Sequence, residues 1–519
     1  MYKEFNVLGN CVPEKHYMAP VSDKIETILP LIKAGKYILL RAARQFGKTT
    51  LINEIRRTLK NEYLVINISM EGTDDTVWRD TQSFCKSFAN TLVNYFKYSD
   101  IKKNAYVNFW QMQENKINNF ADLSVAITDF CSQNSQKILL MIDESDTNSG
   151  NNQFLYFMRM LRNKYIRQNN NLDKTFHSVI LACVKDLTNA TSPNAIEESD
   201  KYQLQWNIGV HIDTDLGLAI SDIDNMLREY ENDYKTGMNT RNVAELIYKY
   251  SNGYPYLASK ICLTIHDKLD RNFSERSVEE AINIMVRETC PLFKSLTMNI
   301  AHSEDYKRLM TQILINRNNQ ITYDPNVPIL AKAMEQSVIR KNENGNVMIH
   351  NIIFQKVLLS YFISSLAVSS TFHIPNTQYA GTSNMNLELL ISQFAQLTLH
   401  NKFSDSCLSE NWRLLFISFL KPIVNQMGFY YIIQNSTENL RMTIVARYSN
   451  ENYIIELNDY YGSQYEAAGE ILVAKDADAR FGNKGYVITY DHSVKTGDKA
   501  YTNPQWIDVN GKKVFKATL

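Results

Sequence analysis

The chain has 519 residues, of which 44% are apolar and 21% charged, and its 55 Lys and Arg residues balance 55 Asp and Glu residues. This length exceeds one ordinary core and predicts about three domains, while the composition excludes a disordered or fibrous chain. The balanced charge excludes a global field that attracts nucleic acid or an anionic membrane, so binding of either must be local.

The N-terminal segment and the cysteines indicate a cytoplasmic protein. Lys3, Glu4, Glu14 and Lys15 interrupt the first residues and leave no apolar run for a signal peptide. The seven cysteines include no CxxC pair, which is typical of reduced, structural thiols. The longest apolar runs have the length of strands, far short of the roughly 20 residues that span a bilayer. We therefore expect no membrane segment.

Residues 1–235 alternate strand-like and helix-like segments, which predicts an α/β domain with a parallel sheet covered by helices. The central runs ILLMI and VILACV are apolar without alternation, as expected of strands that are buried on both faces. The predicted strands span 37–41, 63–68, 138–142 and 178–184.

Helical periodicity dominates the next part of the chain, 236–365, which we interpret as a helical lid followed by a winged-helix-like region. The winged helix is inferred from a hairpin expected around Asn344 and Gly345. Small and polar residues then predict a linker and helix over 366–400. The remainder, 401–519, predicts a separate α/β domain in which helices precede several strands.

The segment YILLRAARQFGKTT, residues 37–50, has the order strand, tight loop and helix that a phosphate-binding P-loop requires. Backbone N–H groups of such a loop and the dipole of the following helix bind phosphate oxygens. Lys48 supplies a cation at the β and γ phosphates. Ala42 stands where the usual pattern has Gly, and the alternative interpretation is a helix N-terminus that merely contains Gly-Lys-Thr. The residues expected to bind the nucleotide here are Arg44, Gln45, Phe46, Gly47, Lys48, Thr49 and Thr50.

A second motif ends the strand ILLMI with Asp143 and Glu144. The carboxyl ends of strands in open parallel sheets are where ligands bind, although Asp-Glu after a strand is also compatible with a solvated turn. We expect Thr49 and Asp143 to hold Mg²⁺, and Lys48 and Glu144 to be catalytic, with Glu144 orienting and deprotonating the attacking water. The two motifs together predict ATP and Mg²⁺ as cofactors. Lys185 and Asp186, after the next strand, are candidates for sensing the γ-phosphate or for a charged loop.

Four segments carry a family resemblance: FNVLGNCVPEKHYM at 5–18, RQFGKTT at 44–50, IDESD at 142–146 and SNGYPYLASKIC at 251–262. They closely resemble a bacterial family of AAA-like ATPases related to the STAND regulatory ATPases, over essentially the whole chain. The resemblance implies that a Gly-x-Pro motif approaches the nucleotide through Pro255. It also implies base contacts from Pro13, His16 and Tyr17, with core packing the alternative for the last two.

The C-terminal domain of that family is similar to the PD-(D/E)xK nuclease superfamily, in which two acids bind Mg²⁺ and a Lys stabilises charge at the phosphate. Here Thr443 stands at the position of the first acid, and Asn458 at that of the Lys. Glu456 is retained. Asp459 is expected on the opposite face of its strand from Glu456, because side chains alternate along a strand. We therefore expect a degenerate nuclease-like domain that binds rather than cuts.

Three functions follow from these patterns. The first is an ATP-binding, ATP-hydrolysing switch whose C-terminal domain binds a protein or nucleic acid. The second is an ATP-regulated, metal-dependent DNA nuclease, supported by the C-terminal resemblance and opposed by Thr443 and Asn458. The third is a non-enzymatic scaffold with a decayed P-loop, for which Ala42 is the sequence support.

Overall fold

The computed structural model divides the chain into two compact units. Unit 1 comprises Met1–Asp233 with Tyr254–Ser259, and unit 2 comprises Tyr234–Gly253 with Lys260–Leu519. The four-part division expected from sequence stays a prediction. The structure describes residues 2–70, 72, 74–99, 101, 104–145, 151–184, 208–212, 216–288, 290–316, 321–369, 385–400, 405–433, 441–449, 451–460, 469–471, 473, 484–492 and 502–519.

Unit 1 contains a five-stranded, wholly parallel sheet in the order β2-β3-β4-β1-β5. The four predicted strands are confirmed within one or two residues. The strands over 138–143 and 178–183 are buried along their whole length, as their runs of apolar residues predict. The short strand β5 was not predicted. The strands are β1 (Tyr37–Arg41), β2 (Leu64–Ser69), β3 (Ile138–Asp143), β4 (Ser178–Cys183) and β5 (Gly209–Ile212).

Helices surround this sheet, and four of them form the connection between β2 and β3. Several start at side-chain caps: Asp80 accepts from the N–H of Ser83, and Asn119 accepts from Ala121 and Asp122. The helices are α1 (Ser22–Lys33), α2 (Lys48–Leu59), α3 (Asp75–Trp78), α4 (Thr81–Tyr98), α5 (Asn104–Glu114), α6 (Phe120–Gln133), α7 (Asn152–Asn169) and α8 (Ile220–Tyr234).

Unit 2 begins with helices and includes the predicted hairpin. Strands β6 (Ile339–Lys341) and β7 (Val347–Ile349) pair antiparallel, and Gly345 turns between them at φ +78°. Such a φ is accessible to Gly at little cost, which is why Asn-Gly predicts the turn. The helices are α9 (Thr240–Ser251), α10 (Pro255–Lys268, with its first turn in unit 1), α11 (Glu275–Arg287), α12 (Pro291–Ala301), α13 (Glu304–Thr311) continuing into a π-helix (Gln312–Asn316), α14 (Pro328–Glu335), α15 (Ile352–Ser369), α16 (Leu387–His400) and α17 (Asp405–Met427).

A mixed six-stranded sheet completes unit 2, in the order β12-β13-β11-β10-β9-β8. Strands β8, β9 and β10 form an antiparallel meander, and β11 lies parallel to β10. The strand β12 was not predicted. The sequence over 464–479 has a helix-like pattern, and this stretch lies largely outside the described residues. The strands are β8 (Gly428–Ile433), β9 (Arg441–Tyr448), β10 (Glu451–Asp459), β11 (Lys484–Tyr490), β12 (Thr502–Val509) and β13 (Lys512–Thr518).

No helix in the described part of the chain is both long enough and apolar enough to cross a membrane.

Candidate functional site

The loop between β1 and α2 has the backbone geometry of an anion-binding loop. Gln45 adopts φ +57° and Gly47 adopts φ +88°, so two of its residues lie in the left-handed region. Left-handed residues alternating with right-handed ones turn successive N–H groups toward one concave side, which forms a nest for an anion. Gly47 is also the N-cap of α2 and has no side chain that could accept from the N–H groups of the first turn. Those donors and the helix dipole are therefore directed at the same place.

Lys48 is held against this loop. Its side chain is buried, and Nζ donates hydrogen bonds to the carbonyl oxygens of Ala42 and Ala43 at 2.8 and 2.9 Å. The ammonium is thus positioned by the loop backbone within a few ångströms of the α2 N-terminus. An ammonium there adds a full positive charge to the partial positive charge of the helix end.

Thr49 and Asp143 meet between α2 and the carboxyl end of β3. The Thr49 hydroxyl donates to Asp143 Oδ2 at 2.6 Å, and the N–H of Glu144 donates to Asp143 Oδ1 at 2.9 Å. Asp143 is only 6% exposed. Glu144 follows at φ +50° and is half-buried. Two oxygen ligands for a hard cation and a further carboxylate therefore lie at one end of the sheet.

A cavity of about 500 Å³ opens beside the loop, within unit 1. Sites for small molecules and cofactors usually enclose roughly 300–1,000 Å³, so a nucleotide fits this volume. Of the residues predicted from sequence, the cavity is lined by Tyr17, Arg44, Gln45, Phe46, Gly47, Lys48, Thr49, Thr50, Glu144 and Pro255. Pro13 and His16 are not among the lining residues of the described chain, and their base contacts stay a prediction.

The apolar wall of the cavity was not found from sequence. It is built from Met18, Ala19, Val21, Leu216, Leu218 and Met226, which come from the segment before α1, the segment before α8, and α8 itself. Lys24 also lines it, and its Nζ donates to the carbonyl oxygens of Leu216 and Gly217 at 3.1 and 2.9 Å. No local pattern marks these residues, because each segment contributes only one to three side chains.

The N-terminal segment forms hydrogen bonds to α2 and to α8, which both contribute residues to the cavity. The N–H of Cys11 donates to Thr50 Oγ1 at 3.1 Å, and the Tyr17 hydroxyl donates to Asp233 Oδ2 at 2.7 Å. The Tyr17 ring packs between Phe5 and Tyr230 and is nearly inaccessible. Burial raises the pKa of the Cys11 thiol. The segment is therefore an integral wall of the cavity rather than a loose tail.

The Gly-Tyr-Pro motif also reaches the loop. Pro255 begins α10 and lines the cavity together with Tyr256 and Ser259. The hydroxyl of Tyr254 donates to the carbonyl oxygen of Arg44 at 2.6 Å. A second helix N-terminus therefore faces the cavity, and Pro at the first helical position costs no hydrogen bond there.

Unit 2 contains the residues at which the sequence departs from a nuclease pattern. Glu456 and Asn458 lie on one face of β10 and are fully buried, and Thr443 of β9 pairs with Glu456 in the register. Within the described residues, the amide of Asn458 and the hydroxyl of Thr489, its register partner on β11, have no hydrogen-bond partner. These polar residues therefore lie close together on three neighbouring strands of the sheet.

Asp459 lies on the opposite face of β10, as strand alternation predicts. Its carboxylate accepts from Arg413 at 2.7 Å and from Trp412 Nε1 at 2.9 Å, and His492 Nε2 lies 2.9 Å away. Burial alone would raise the pKa of Asp459, but the hydrogen bonds and charges of His492, Arg413 and Trp412 outweigh it and hold the pKa below its usual range. Asp459 is therefore committed to a buried ion pair.

Comparison with known proteins gives one family. The sequence pattern of a family described as "AAA-like domain" matches residues 14–353. No curated protein matches the chain. Similar solved structures include a Walker-type ATPase of Pyrococcus abyssi, with 12% identity, 68% of this chain and 99% of that chain covered, and a TM-score of 0.48. A RuvB variant of Thermotoga maritima has 13% identity over 66% and 96% of the chains, with a TM-score of 0.33. The Aeropyrum pernix ORC1 protein in complex with DNA has 12% identity over 67% and 94%, with a TM-score of 0.29.

Proposed function

The chain belongs to the AAA-like domain family, and from that premise we propose that it is an ATP-binding and ATP-hydrolysing molecular switch. The observation that carries the proposal is the hydrogen bond of 2.6 Å between the Thr49 hydroxyl and the Asp143 carboxylate. Thr49 and the neighbouring Lys48 both line a cavity of nucleotide size. The hydrogen bond brings together the two motifs of an ATP site from distant parts of the sequence. Nucleotide binding and hydrolysis would then change how the C-terminal domain is presented to a partner.

The triphosphate would bind at the N-terminus of α2, where the N–H groups of the loop, Gly47 and Lys48 converge. Lys48 would exchange its bonds to the Ala42 and Ala43 carbonyl oxygens for bonds to phosphate oxygens. The exchange replaces neutral acceptors by anionic ones, so that both partners of each hydrogen bond would carry a charge.

Mg²⁺ fits the pair formed by Thr49 and Asp143. This cation is commonly held by one or two protein oxygens together with phosphate oxygens and waters, and the two side chains supply a hydroxyl and a carboxylate that already touch. When bound, the cation would neutralise charge that develops on the phosphates. Asp143 is fixed by the N–H of Glu144, so its orientation needs no cation.

Glu144 is the proposed general base for the attacking water. It is half-buried, it lines the cavity, and its backbone is set by the bond to Asp143 rather than by its own side chain. A carboxylate in that place can orient a water and accept its proton. The side chains of Lys185 and Asp186, the proposed γ-phosphate sensors, lie outside the described residues.

ATP binding by the purified protein tests the proposal directly. Calorimetry with ATP in Mg²⁺ should show saturable binding, and release of phosphate should accompany it. Binding stabilises the folded chain by RT ln(1 + [ATP]/Kd), so a rise in melting temperature with ATP concentration is an independent measurement. A protein that neither binds ATP nor gains thermal stability from it would contradict the proposed function.

The C-terminal part is proposed to be a nuclease-like domain without nuclease activity, with boundaries near 401–519. The meander β8-β9-β10 followed by the parallel strand β11 supports the resemblance in topology. Thr443 and Asn458 supply neither a carboxylate nor a cation, and each missing group typically contributes several kcal/mol to transition-state stabilisation. Among the described residues, no three His, Cys, Asp or Glu side chains are grouped so that they could hold a metal ion.

A plasmid-nicking assay decides between this proposal and the second candidate, an ATP-regulated DNA nuclease. We expect no nicking of supercoiled plasmid above the protein-free background with either Mg²⁺ or Mn²⁺, in the presence or absence of ATP. The Glu456→Ala variant is the control for contaminating nucleases, because it should give the same background. Nicking by the wild-type chain that disappears in Glu456→Ala would overturn the proposal.

Asp459 is expected to stabilise the C-terminal domain rather than to bind a ligand. In Asp459→Asn, the guanidinium of Arg413, which is 5% exposed, would lose its counter-ion, and breaking a buried ion pair costs about 3–5 kcal/mol. Hydrogen exchange at the amides of β10 should therefore accelerate. Asp305→Asn is the matched control, because Asp305 forms an ion pair with Arg308 at 3.8 Å in which both side chains are exposed to solvent. Unchanged exchange in Asp459→Asn would show that the ion pair is not structural.

The partner of the switch is proposed to be a protein or a nucleic acid that binds the C-terminal domain. In the winged-helix-like region, within 236–365, the hairpin offers Arg340 and Lys341 as cations for DNA before the acidic Glu343, and Lys332 adds one more. Arg340 Nε donates to the carbonyl oxygen of His350 at 3.1 Å, and Lys341 and Lys332 lie over the rings of Tyr323 and Tyr306. Because few free cations make few phosphate contacts, this region contributes little to any such binding.

A further inference from the structure

Tyr254 is the middle residue of the Gly-Tyr-Pro motif, and its side chain contacts the phosphate-binding loop at two points. The residue is fully buried. Its ring meets the ring of Phe46 edge-on, with centroids 4.6 Å apart and planes at 73°. Its hydroxyl donates to the carbonyl oxygen of Arg44 at 2.6 Å. Both contacts lie within unit 1, and both are made to residues of the loop.

The hydrogen bond fixes the plane of one peptide unit. A trans peptide is flat, so the C=O of Arg44 and the N–H of Gln45 point in opposite directions. Because the Arg44 carbonyl oxygen points toward the Tyr254 hydroxyl, the N–H of Gln45 points away from Tyr254. Gln45 lines the cavity, and the N–H groups of a loop of this geometry are the donors from which a phosphate nest is made.

The same bond offsets backbone strain. Gln45 has φ +57°, and a left-handed conformation is strained for a residue with a side chain. Such a conformation persists only where the surroundings determine it. The Tyr254 hydroxyl is bonded to the carbonyl that immediately precedes this residue. The position of Tyr254 is itself restricted, because Pro255 follows it and limits its backbone to extended conformations.

We propose that Tyr254 is a positioning residue for nucleotide binding: its hydroxyl holds the peptide between Arg44 and Gln45 in the orientation that presents the Gln45 N–H to a phosphate oxygen. The proposal rests on the proposed function of this site. It assigns the role to the middle position of the motif. Tyr254 would act through the loop backbone, without contacting the nucleotide.

The test compares Tyr254→Phe with a matched control, Tyr95→Phe. Tyr95 is also in unit 1, and its hydroxyl donates to a main-chain carbonyl, that of Val65, at 2.8 Å, away from the loop. Both variants lose one hydroxyl bonded to a backbone carbonyl and keep the ring. Binding of ATP, ADP and adenosine is measured by calorimetry, and melting temperatures are measured without nucleotide.

We expect Tyr254→Phe to weaken ATP and ADP binding about tenfold, the effect of one hydrogen bond lost near a charged ligand. Adenosine binding should be unchanged, because adenosine has no phosphate. Tyr95→Phe should bind all three ligands like the wild type, and the two variants should melt at similar temperatures. Wild-type affinity for ATP in Tyr254→Phe would overturn the proposal. So would equal losses for ATP and adenosine, or a melting temperature well below that of the control, since either result assigns Tyr254 a general packing role. Failure of the wild-type chain to bind ATP would instead contradict the proposed function.

Discussion

Replacing Glu144 by Gln is expected to slow ATP hydrolysis by a factor of about 10²–10⁴ while ATP binding stays near that of the wild type. The substitution keeps the size of the side chain and replaces a carboxylate, which can accept the proton of the attacking water, by an amide, which cannot. The backbone of Glu144 is fixed by its N–H bond to Asp143 Oδ1 at 2.9 Å, which the substitution leaves in place. Single-turnover hydrolysis and equilibrium binding, measured on the same preparation, separate the two effects.

Glu62→Gln is the control for this experiment. Glu62 is an exposed glutamate of unit 1, just after α2, and it does not line the cavity. Its substitution should change neither binding nor turnover. If Glu144→Gln hydrolysed ATP at the wild-type rate, the general base would have to be sought elsewhere in the cavity. If hydrolysis is lost as expected, the variant retains ATP, and a pull-down with it should enrich partners that recognise the ATP-bound state.

The elements around the site could be predicted from sequence where one local pattern determines them. Apart from one polar or charged residue at an end, strands β1, β3 and β4 consist of apolar residues, because helices cover both faces of a parallel sheet. Strand β5 has only four residues, GVHI, and strand β12 begins Thr-Asn-Pro, so neither has the pattern of a strand. Both are defined by pairing with a neighbouring strand, β1 for β5 and β13 for β12.

The phosphate side of the cavity was predictable for the same reason, and the apolar side was not. Lys48 and Thr49 belong to one contiguous motif, and Asp143 ends a recognisable strand. Met18, Leu216 and Met226 come from distant segments that meet only in the folded chain. The ion pair of Asp459 shows a similar limit, because alternation along β10 gives the face of the carboxylate but not its partner Arg413, 46 residues earlier.

Lys48→Ala is expected to reduce ATP affinity at least about 100-fold, equivalent to about 2.7 kcal/mol. The Lys48 ammonium is the buried cation that the loop directs toward the α2 N-terminus, and charge-assisted hydrogen bonds contribute about 1.5–3 kcal/mol each. The rise in melting temperature that ATP gives the wild-type chain should therefore disappear at ATP concentrations near the wild-type Kd. Lys60→Ala, an exposed lysine at the end of the same helix, should keep that rise.

The effect of Lys48→Ala on the nucleotide-free protein separates binding from folding. The substitution removes the ammonium from the carbonyl oxygens of Ala42 and Ala43. Lys48 itself lines the cavity, so water that fills the space of its side chain can hydrogen-bond to them, and the melting temperature without ATP should change little. Loss of the ATP effect with an unchanged melting temperature would assign Lys48 to the phosphates. Undiminished ATP binding in Lys48→Ala would mean that this loop, with Ala42 in place of Gly, does not bind the phosphates. That result would favour the scaffold with a decayed P-loop over the ATP-driven switch.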